Sequence, residues 1–520
     1  MSGFESPASH DGDAAGLLYP RQNRHHSVQD LAGLWQFQID PNSEGEAAAW
    51  FDGLPAPRSI PVPCSWNDLF DDARDYLGLA WYLTETWTPS AWHGERILLR
   101  VGSANYAARV WVNGALVATH QGGRLPFVAD ITDYVTTDGP TTIAIAVENE
   151  QLPERVPPGP GTGRSGIAAF MRNYPQTTYD FFPYAGLQRP VLLSTVPVAT
   201  HIDDVTVRTA IEGEDGVVEL AVVATGGYSG TGTVSLGGAT SPLAFVDGRA
   251  ETTLRVPWAR FWGPADPHLY PLTVALTDGG HEIDAYTLDI GIRTVEVSGD
   301  RILLNGQPIH LNGFGKHEDF PLSGRGLNLP ALVRDHELMA WVGANSYRTA
   351  HYPYSEEAMQ LADRLGMLVI NEIPAVGLDF ADAPDLVAAR QDQCLRQLRE
   401  LVARDKNHPS TIMWSVANEP FGGGFPGFAP RRIRRRYRRR PPRQSQEMWS
   451  EEYQVEFLRG FLDVAAARPF VAGLHVWNFA DFKTGQGIMR ASGLNQKGVF
   501  TRDRRPKMAA HFLRSRWKQA

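Results

Sequence analysis

The chain has 520 residues, 43% of them apolar and 21% charged, and a formal net charge of −9. At ~150 residues per domain this length predicts two to four domains, and the composition excludes a disordered or collagen-like chain. No run of ~18 apolar residues is present to cross a membrane as a helix, and an acidic body argues against general binding of nucleic acid or a membrane surface.

From Met1 to His26 the chain is polar and lacks the apolar stretch of a secretory signal. Its two cysteines, Cys64 and Cys394, stand far apart with no CxxC pair. Neither a disulfide framework nor a zinc knuckle follows, and both are expected to be buried apolar filler. The cytoplasm is the expected compartment.

Residues 18–202 read as short alternating strands. Trp35, Phe37 and Ile39 alternate with Gln36 and Gln38, Ile97, Leu99 and Val101 share a face, and Ile143, Ile145 and Val147 repeat the pattern. Val112 runs into Asn113-Gly114, the strongest short hairpin signal. This spacing predicts a β-sandwich, expected to be a jelly roll. Residues 203–295 are again all-β, with strands expected over 217–220 and 272–276 and Gly-Gly pairs between them. A segment of this size predicts an immunoglobulin-like sandwich.

Residues 296–520 alternate strand and helix. Strands are expected over 309–313, 344–348, 367–373 and 411–417, and helices over 332–341, 355–365 and 386–403. Ser355 is the expected N-cap of the second helix, with Glu356 and Glu357 in its first turn. Repeated β–α units imply a parallel sheet, most simply a (β/α)8 barrel. In such a barrel the C-terminal strand ends face the active site. The fourth strand runs into Asn418-Glu419-Pro420. A carboxylate there can act as acid/base or ligand, and on the residues alone it can equally cap the next helix.

Two β-sandwiches followed by a barrel, with Asn-Glu-Pro after the fourth strand, resemble glycoside hydrolase family 2. The motifs YDFFPYAG at 179–186, GFGKHED at 313–319, NSYRTAHYPY at 345–354 and ARDKNHP at 403–409 resemble the β-glucuronidases of that family. So do VWNFADF at 476–482 and KGVFTRDR at 497–504. The resemblance implies that Glu419 is the general acid/base and Asn418 the donor to the sugar 2-hydroxyl. It implies contacts to other sugar hydroxyls from Asp180 and His351. An inter-domain hydrogen bond for Asp180 and a buried core position for His351 are the plainer alternatives. It further implies that Asn495 and Lys497 bind the sugar carboxylate, with Arg490 and Trp477 beside them. Without the resemblance Lys497 reads as a surface lysine. A retaining glycosidase needs an acid that protonates the leaving oxygen and a second carboxylate as nucleophile on the opposite face. No cofactor or metal is expected, because two carboxylates and a proton carry the reaction.

The second carboxylate is missing from its expected place. Residues 309–418 hold four strands and three helices in 110 residues, whereas 419–470 must hold four helices and three strands in 52. The whole segment 309–520 is 212 residues, short of the ~250 of a complete barrel. The expectation is therefore an incomplete barrel, truncated internally around 421–446. The family's nucleophile lies in a Thr-Glu-Tyr-Gly-like sequence, and none is present. Residues 445–463 predict one amphipathic helix with Trp449, Tyr453, Phe457 and Phe461 four apart, and no carboxylate on or beside it is assigned the nucleophile's role. Residues 471–481 resemble the eighth strand.

From Arg431 to Arg443 stand nine arginines in thirteen residues. Three readings are open: a nucleic-acid or localisation patch, a solvated linker, and the out-of-frame scar of a deletion. The Gly/Pro-rich then Arg-rich composition favours the last. The expected function is retaining hydrolysis of β-D-glucuronides, with a small-molecule glucuronide as partner, neither nucleic acid nor membrane as partner, and a possible homo-oligomer. The alternative is a catalytically inactive carbohydrate-binding protein, because the nucleophile segment is absent. A third reading is a chain that folds poorly, with open sheet edges.

Overall fold

The computed structural model describes residues 17–160, 174–421, 450–487 and 490–518. The arginine block and the expected truncation beyond Phe421 lie outside these residues, as do Trp449 and the start of the helix expected from Ser445.

The first unit is a β-sandwich. One sheet has six strands, in the order Arg58–Val62, Gly33–Asp40, Leu79–Thr88, Gly139–Glu148, Ala107–Val112, Ala115–Gln121. The other has four: Val28–Asp30, Val191–Val196, Arg96–Val101, Phe127–Asp130. The alternation is the cause: Trp35, Phe37, Ile97, Leu99, Val101, Ile143, Ile145 and Val147 point into one shared core. Asn113 and Gly114 form the two-residue hairpin turn with φ of 47° and 82°, the positive values such a turn requires. The second unit packs a three-stranded sheet against a four-stranded one. Its core includes Val218, Leu220, Val222, Leu272, Val274 and Leu276. Cys64 and Cys394 are buried and unpaired.

A three-stranded antiparallel ribbon, residues 295–309, leads into the third unit. The strand expected over 309–313 is therefore two elements: Ile309 ends the ribbon, and after His310 the first barrel strand begins. The parallel strands are β1 (Leu311–Lys316), β2 (Ser346–Thr349), β3 (Leu368–Glu372), β4 (Thr411–Ser415) and β5 (Gly473–Val476). Their order is β4-β3-β2-β1-β5, so β5 sits beside β1 as a last barrel strand would. Among the described residues the sheet stays open between β4 and β5. Ile412, Met413, Trp414 and Leu474 on these edges are only half-buried.

Helices α1 (Leu329–Val342), α2 (Glu356–Leu365) and α3 (Pro384–Asp405) link the first four strands. Asn328 caps α1 by accepting from the Ala331 N–H at 3.0 Å, and Ser355 caps α2 by accepting from Ala358 at 3.2 Å. Gly343 and Gly366 end these helices at φ of 90° and 69°, where a side chain would be strained. Helix α4 (Glu451–Ala466) is capped by Ser450, and α5 (Met508–Trp517) packs on α1 and α4. The aromatic stripe expected on α4 is not its buried face. Leu458 and Leu462 face the core, whereas Phe457 and Phe461 are 52% and 51% exposed. The helix packs through its leucines, and none of the described elements covers its other side.

The first sandwich docks on the barrel through buried ions. Arg100 donates to Glu356 of α2 at 2.8 Å, Asp68 accepts from Lys483 and Arg502, and Arg502 reaches Asp319 at 2.6 Å. This docking brings a sandwich loop over the barrel mouth.

Candidate active site

At the C-terminal ends of the five strands lies a cleft of about 580 Å³. The strand ends supply His317 after β1, Arg348 from β2 and His351 just beyond it, Val376 and Gly377 beyond β3, Asn418 and Glu419 beyond β4, and Trp477 after β5. The first sandwich adds a wall of residues 177–181, and the segment after β5 adds Arg490 and Lys497. Seven of the eight residues singled out in the sequence line this one cleft: Asp180, His351, Asn418, Glu419, Trp477, Arg490 and Lys497. The eighth, Asn495, is fully buried behind it.

Glu419 is exposed to the cleft. Its φ of 45° is left-handed, a conformation a non-glycine residue adopts only where its surroundings impose it. The Asn418 N–H donates to the Ala375 carbonyl at 2.9 Å, which fixes the residue before it. Arg348 approaches Asn418 Oδ1 at 3.5 Å. That contact turns the amide oxygen away and leaves Nδ2 as a donor.

Asp180 and Arg490 form a fork. Arg490 Nε donates to Oδ1 at 2.9 Å and Nη2 to both carboxylate oxygens at 2.5 Å. Asn495 Nδ2 donates to the same carboxylate at 2.6 Å, and Asn495 Oδ1 accepts from the Lys497 backbone N–H at 3.0 Å. Three of the predicted residues are thus bonded to a fourth, Asp180 directly to Arg490 and Asn495, and Lys497 through Asn495. Trp477 stacks on His351 with ring centroids 5.0 Å apart. A Cβ on Gly315 would stand 2.4 Å from the Trp477 ring, so only glycine in β1 leaves this indole its place.

Glu372, at the end of β3, was not singled out by any motif. It is 1% exposed and accepts from Arg348 at 2.6 Å, Ser415 Oγ at 2.6 Å and His351 Nδ1 at 2.7 Å. Burial alone would raise its carboxyl. The His351 hydrogen bond and the Arg348 charge outweigh burial and hold it below the ordinary range. His351 Nδ1 faces this carboxylate, which leaves Nε2 for a ligand. His317 is also new: burial holds its imidazole well below the usual histidine range, so it is neutral. Tyr352 OH lies 3.1 Å from its Nδ1, and its Nε2 is buried without a partner. The signal for Arg348, Glu372 and His317 was the one used for Glu419, a polar residue at a strand's C-terminal end. Among the described residues no three His, Cys, Asp or Glu side chains gather to hold a metal.

The chain belongs to glycoside hydrolase family 2. The family's sugar-binding domain matches residues 28–197, a further glycosyl hydrolases family 2 segment matches 200–293, and its TIM barrel domain matches 295–434 and 442–520. The chain is a glycosidase by this membership. It is 37% identical to a β-glucuronidase of Paenibacillus borealis, over 96% of this chain and 98% of the relative, and 36% identical to that of Canis lupus familiaris. The first alignment runs over 607 positions for a chain of 520 residues, so the relative carries sequence within the aligned span that this chain lacks. Among solved structures, the β-glucuronidase of Ruminococcus gnavus superposes with a TM-score of 0.86 at 33% identity. The match covers 97% of this chain and 99% of that one.

Proposed function

We propose that this chain acts on β-D-glucuronides as a β-glucuronidase, hydrolysing them with retention to D-glucuronate and an alcohol. The observation that carries the reading is that Glu419 and Asn418 share one cleft with Arg490 and Lys497. In this reading Glu419 protonates the leaving oxygen. Asn418 Nδ2 donates to the sugar 2-hydroxyl, a bond that strengthens as the ring gains oxocarbenium character. Lys497 and Arg490 meet the sugar carboxylate, and charge-assisted bonds in a partly desolvated cleft favour an anion over a neutral sugar. The relatives' names support the substrate class, and one of the Ruminococcus gnavus structures holds D-glucuronic acid. Two unpaired buried cysteines support a cytoplasmic location, and exposed Phe457 and Phe461 support self-association.

One observation favours a second reading, a glucuronide-binding protein without turnover. Among the described cleft residues the carboxylates are Asp180 and Glu419, and Asp180 is held by Arg490 and Asn495. Retention needs a second carboxylate roughly 5 Å from the acid. The test is hydrolysis of an aryl β-glucuronide by the chain and by Glu419→Gln, with D-glucuronate binding measured in parallel. Turnover that Glu419→Gln abolishes supports the enzyme. Binding without turnover supports the second reading. Absence of both, in folded protein, refutes the glucuronide site.

A further inference from the structure

Among the described residues the buried arginines follow one rule with two exceptions. Arg100, Arg155, Arg189, Arg390 and Arg504 are all buried, and each is ion-paired, to Glu356, Glu148, Glu318, Asp382 and Asp335 respectively. Arg124 and Arg325 are as deeply buried, 4% and 2% exposed, and among the described residues neither has an ion-pair partner. On each of them Nε and Nη1 are buried and meet no acceptor.

The two side chains come from different units and meet at one ring. Arg124 follows the Gly122-Gly123 turn of the first sandwich, and Arg325 lies in the loop between β1 and α1 of the barrel. The Arg325 backbone is tied to the sandwich: its N–H donates to Ser65 Oγ at 3.1 Å, and its carbonyl accepts from Arg189 at 3.0 Å. The guanidinium carbon of Arg325 stands 4.0 Å from the Tyr352 ring centroid and 5.4 Å from that of Phe181. That of Arg124 stands 5.4 Å from Tyr352. Aromatic faces attract a cation but offer nothing to the in-plane N–H groups. Tyr352 shares a side-chain hydrogen bond with Arg325, which leaves the Nε and Nη1 donors of that arginine unmet. The other nearby phenols are committed elsewhere, Tyr106 donating to Gln393 at 2.8 Å and Tyr179 to Gln151 at 2.6 Å. Glu318 and Asp319 are also committed, to Arg189 and Arg502. Burial and the charge of Arg325 lower the Arg124 guanidinium to about 10.

We propose that Arg124 and Arg325 together hold one small monovalent inorganic anion, with chloride as the probe, behind the floor of the cleft. A buried guanidinium without a counter-charge is among the costliest groups a fold can carry, and two of like sign repel. One anion neutralises the pair and meets the in-plane donors of both forks. The site adjoins the cleft. Tyr352, against which both arginines lie, holds His317 Nδ1 at 3.1 Å, and His317 and Phe181 line the cleft. Occupancy therefore stiffens the joint between sandwich and barrel at the cleft floor. The inference is independent of the glucuronide reading, because stability and anion binding report it without a substrate.

The experiment compares thermal unfolding of the full chain in sodium chloride and in sodium gluconate at equal ionic strength, with 35Cl line width measured in parallel. Expected are a midpoint several degrees higher in chloride, saturating in the millimolar range, and a broadened chloride line. Arg124→Met and Arg325→Met should each abolish both effects. Equal midpoints in the two salts, or a line width unchanged by the substitutions, would overturn the proposal and assign the donors to water. Should neither variant fold, the parent decides alone. Saturable chloride stabilisation, with a 35Cl line that narrows when bromide is added, supports the site, and a linear salt dependence without ion preference refutes it.

Discussion

Nδ1 of His351 lies 2.7 Å from the Glu372 carboxylate, and Arg348 grips the same carboxylate at 2.6 Å. One buried acid therefore orients two side chains that face the cleft. Glu372→Gln keeps the shape and removes the charge. Breaking a buried pair by one partner costs about 3 kcal/mol, with Arg348 partly exposed and so at the low end. The expected outcome is a clear fall in the unfolding midpoint together with weaker D-glucuronate binding. Calorimetry on the variant checks both, and an unchanged midpoint would show that Arg348 finds another partner.

The pH dependence of stability has a definite sign. Burial lowers His120 to about 3, and His336 and His475 to about 4. In the unfolded chain these groups protonate near 6.5, whereas in the fold they stay neutral. Below pH 6.5 the unfolded state thus binds protons that the native state does not, and each group removes about 1.4 kcal/mol per pH unit until its folded value is reached. His408 runs the other way. Burial would lower it, but Asp363 at 2.5 Å raises it, so its contribution is full below pH 6.5 and lost as pH rises through its folded value. The expected outcome is a midpoint that falls from pH 6.5 toward pH 4, with a shallower slope in His475→Gln. A slope unchanged in that variant would show that His475 is not neutral in the fold.

The Asp180 fork gives a binding prediction. Arg490 and Asn495 both lean on this carboxylate, and Lys497 is tied to Asn495 through its backbone. Asp180→Asn removes the charge that orients them. D-glucuronate affinity is expected to fall roughly tenfold, about 1.4 kcal/mol, with little change in the unfolding midpoint because the fork is partly exposed. Lys497→Ala should weaken binding of D-glucuronate more than of D-glucose, since in the proposed function the lysine meets only the carboxylate. Isothermal titration distinguishes these outcomes, and equal losses for the two sugars would detach Lys497 from carboxylate recognition.

Helix α4 carries an exposed aromatic pair, Phe457 and Phe461, with ring centroids 4.6 Å apart. An apolar patch of this kind favours association or dye binding. Phe457→Glu with Phe461→Glu is expected to shift the chain toward monomer in sedimentation and to lower ANS fluorescence, leaving the unfolding midpoint within about a degree. A large loss of stability would show instead that the pair is covered in solution by part of the same chain.

The sequence by itself determined the three units, the Asn113-Gly114 hairpin, the Ser355 cap and the cleft's principal residues. Periodicity, turn chemistry and strand-end position are local signals, and short motifs at 179–186, 345–354, 418–420, 476–482 and 495–497 carried the site. It also determined that residues 419–470 are too few for a complete set of barrel elements. Only the tertiary structure decided that Glu372 anchors Arg348 and His351, that Asp180 pairs with Arg490 some three hundred residues away, and that α4 buries Leu458 and Leu462 rather than its phenylalanines. The same holds for Arg124 and Arg325, two ordinary arginines in sequence whose lack of a counter-charge among the described residues exists only once two units dock around them. Partner choice and burial are set by what packs across a cleft or an interface, and no local period encodes that.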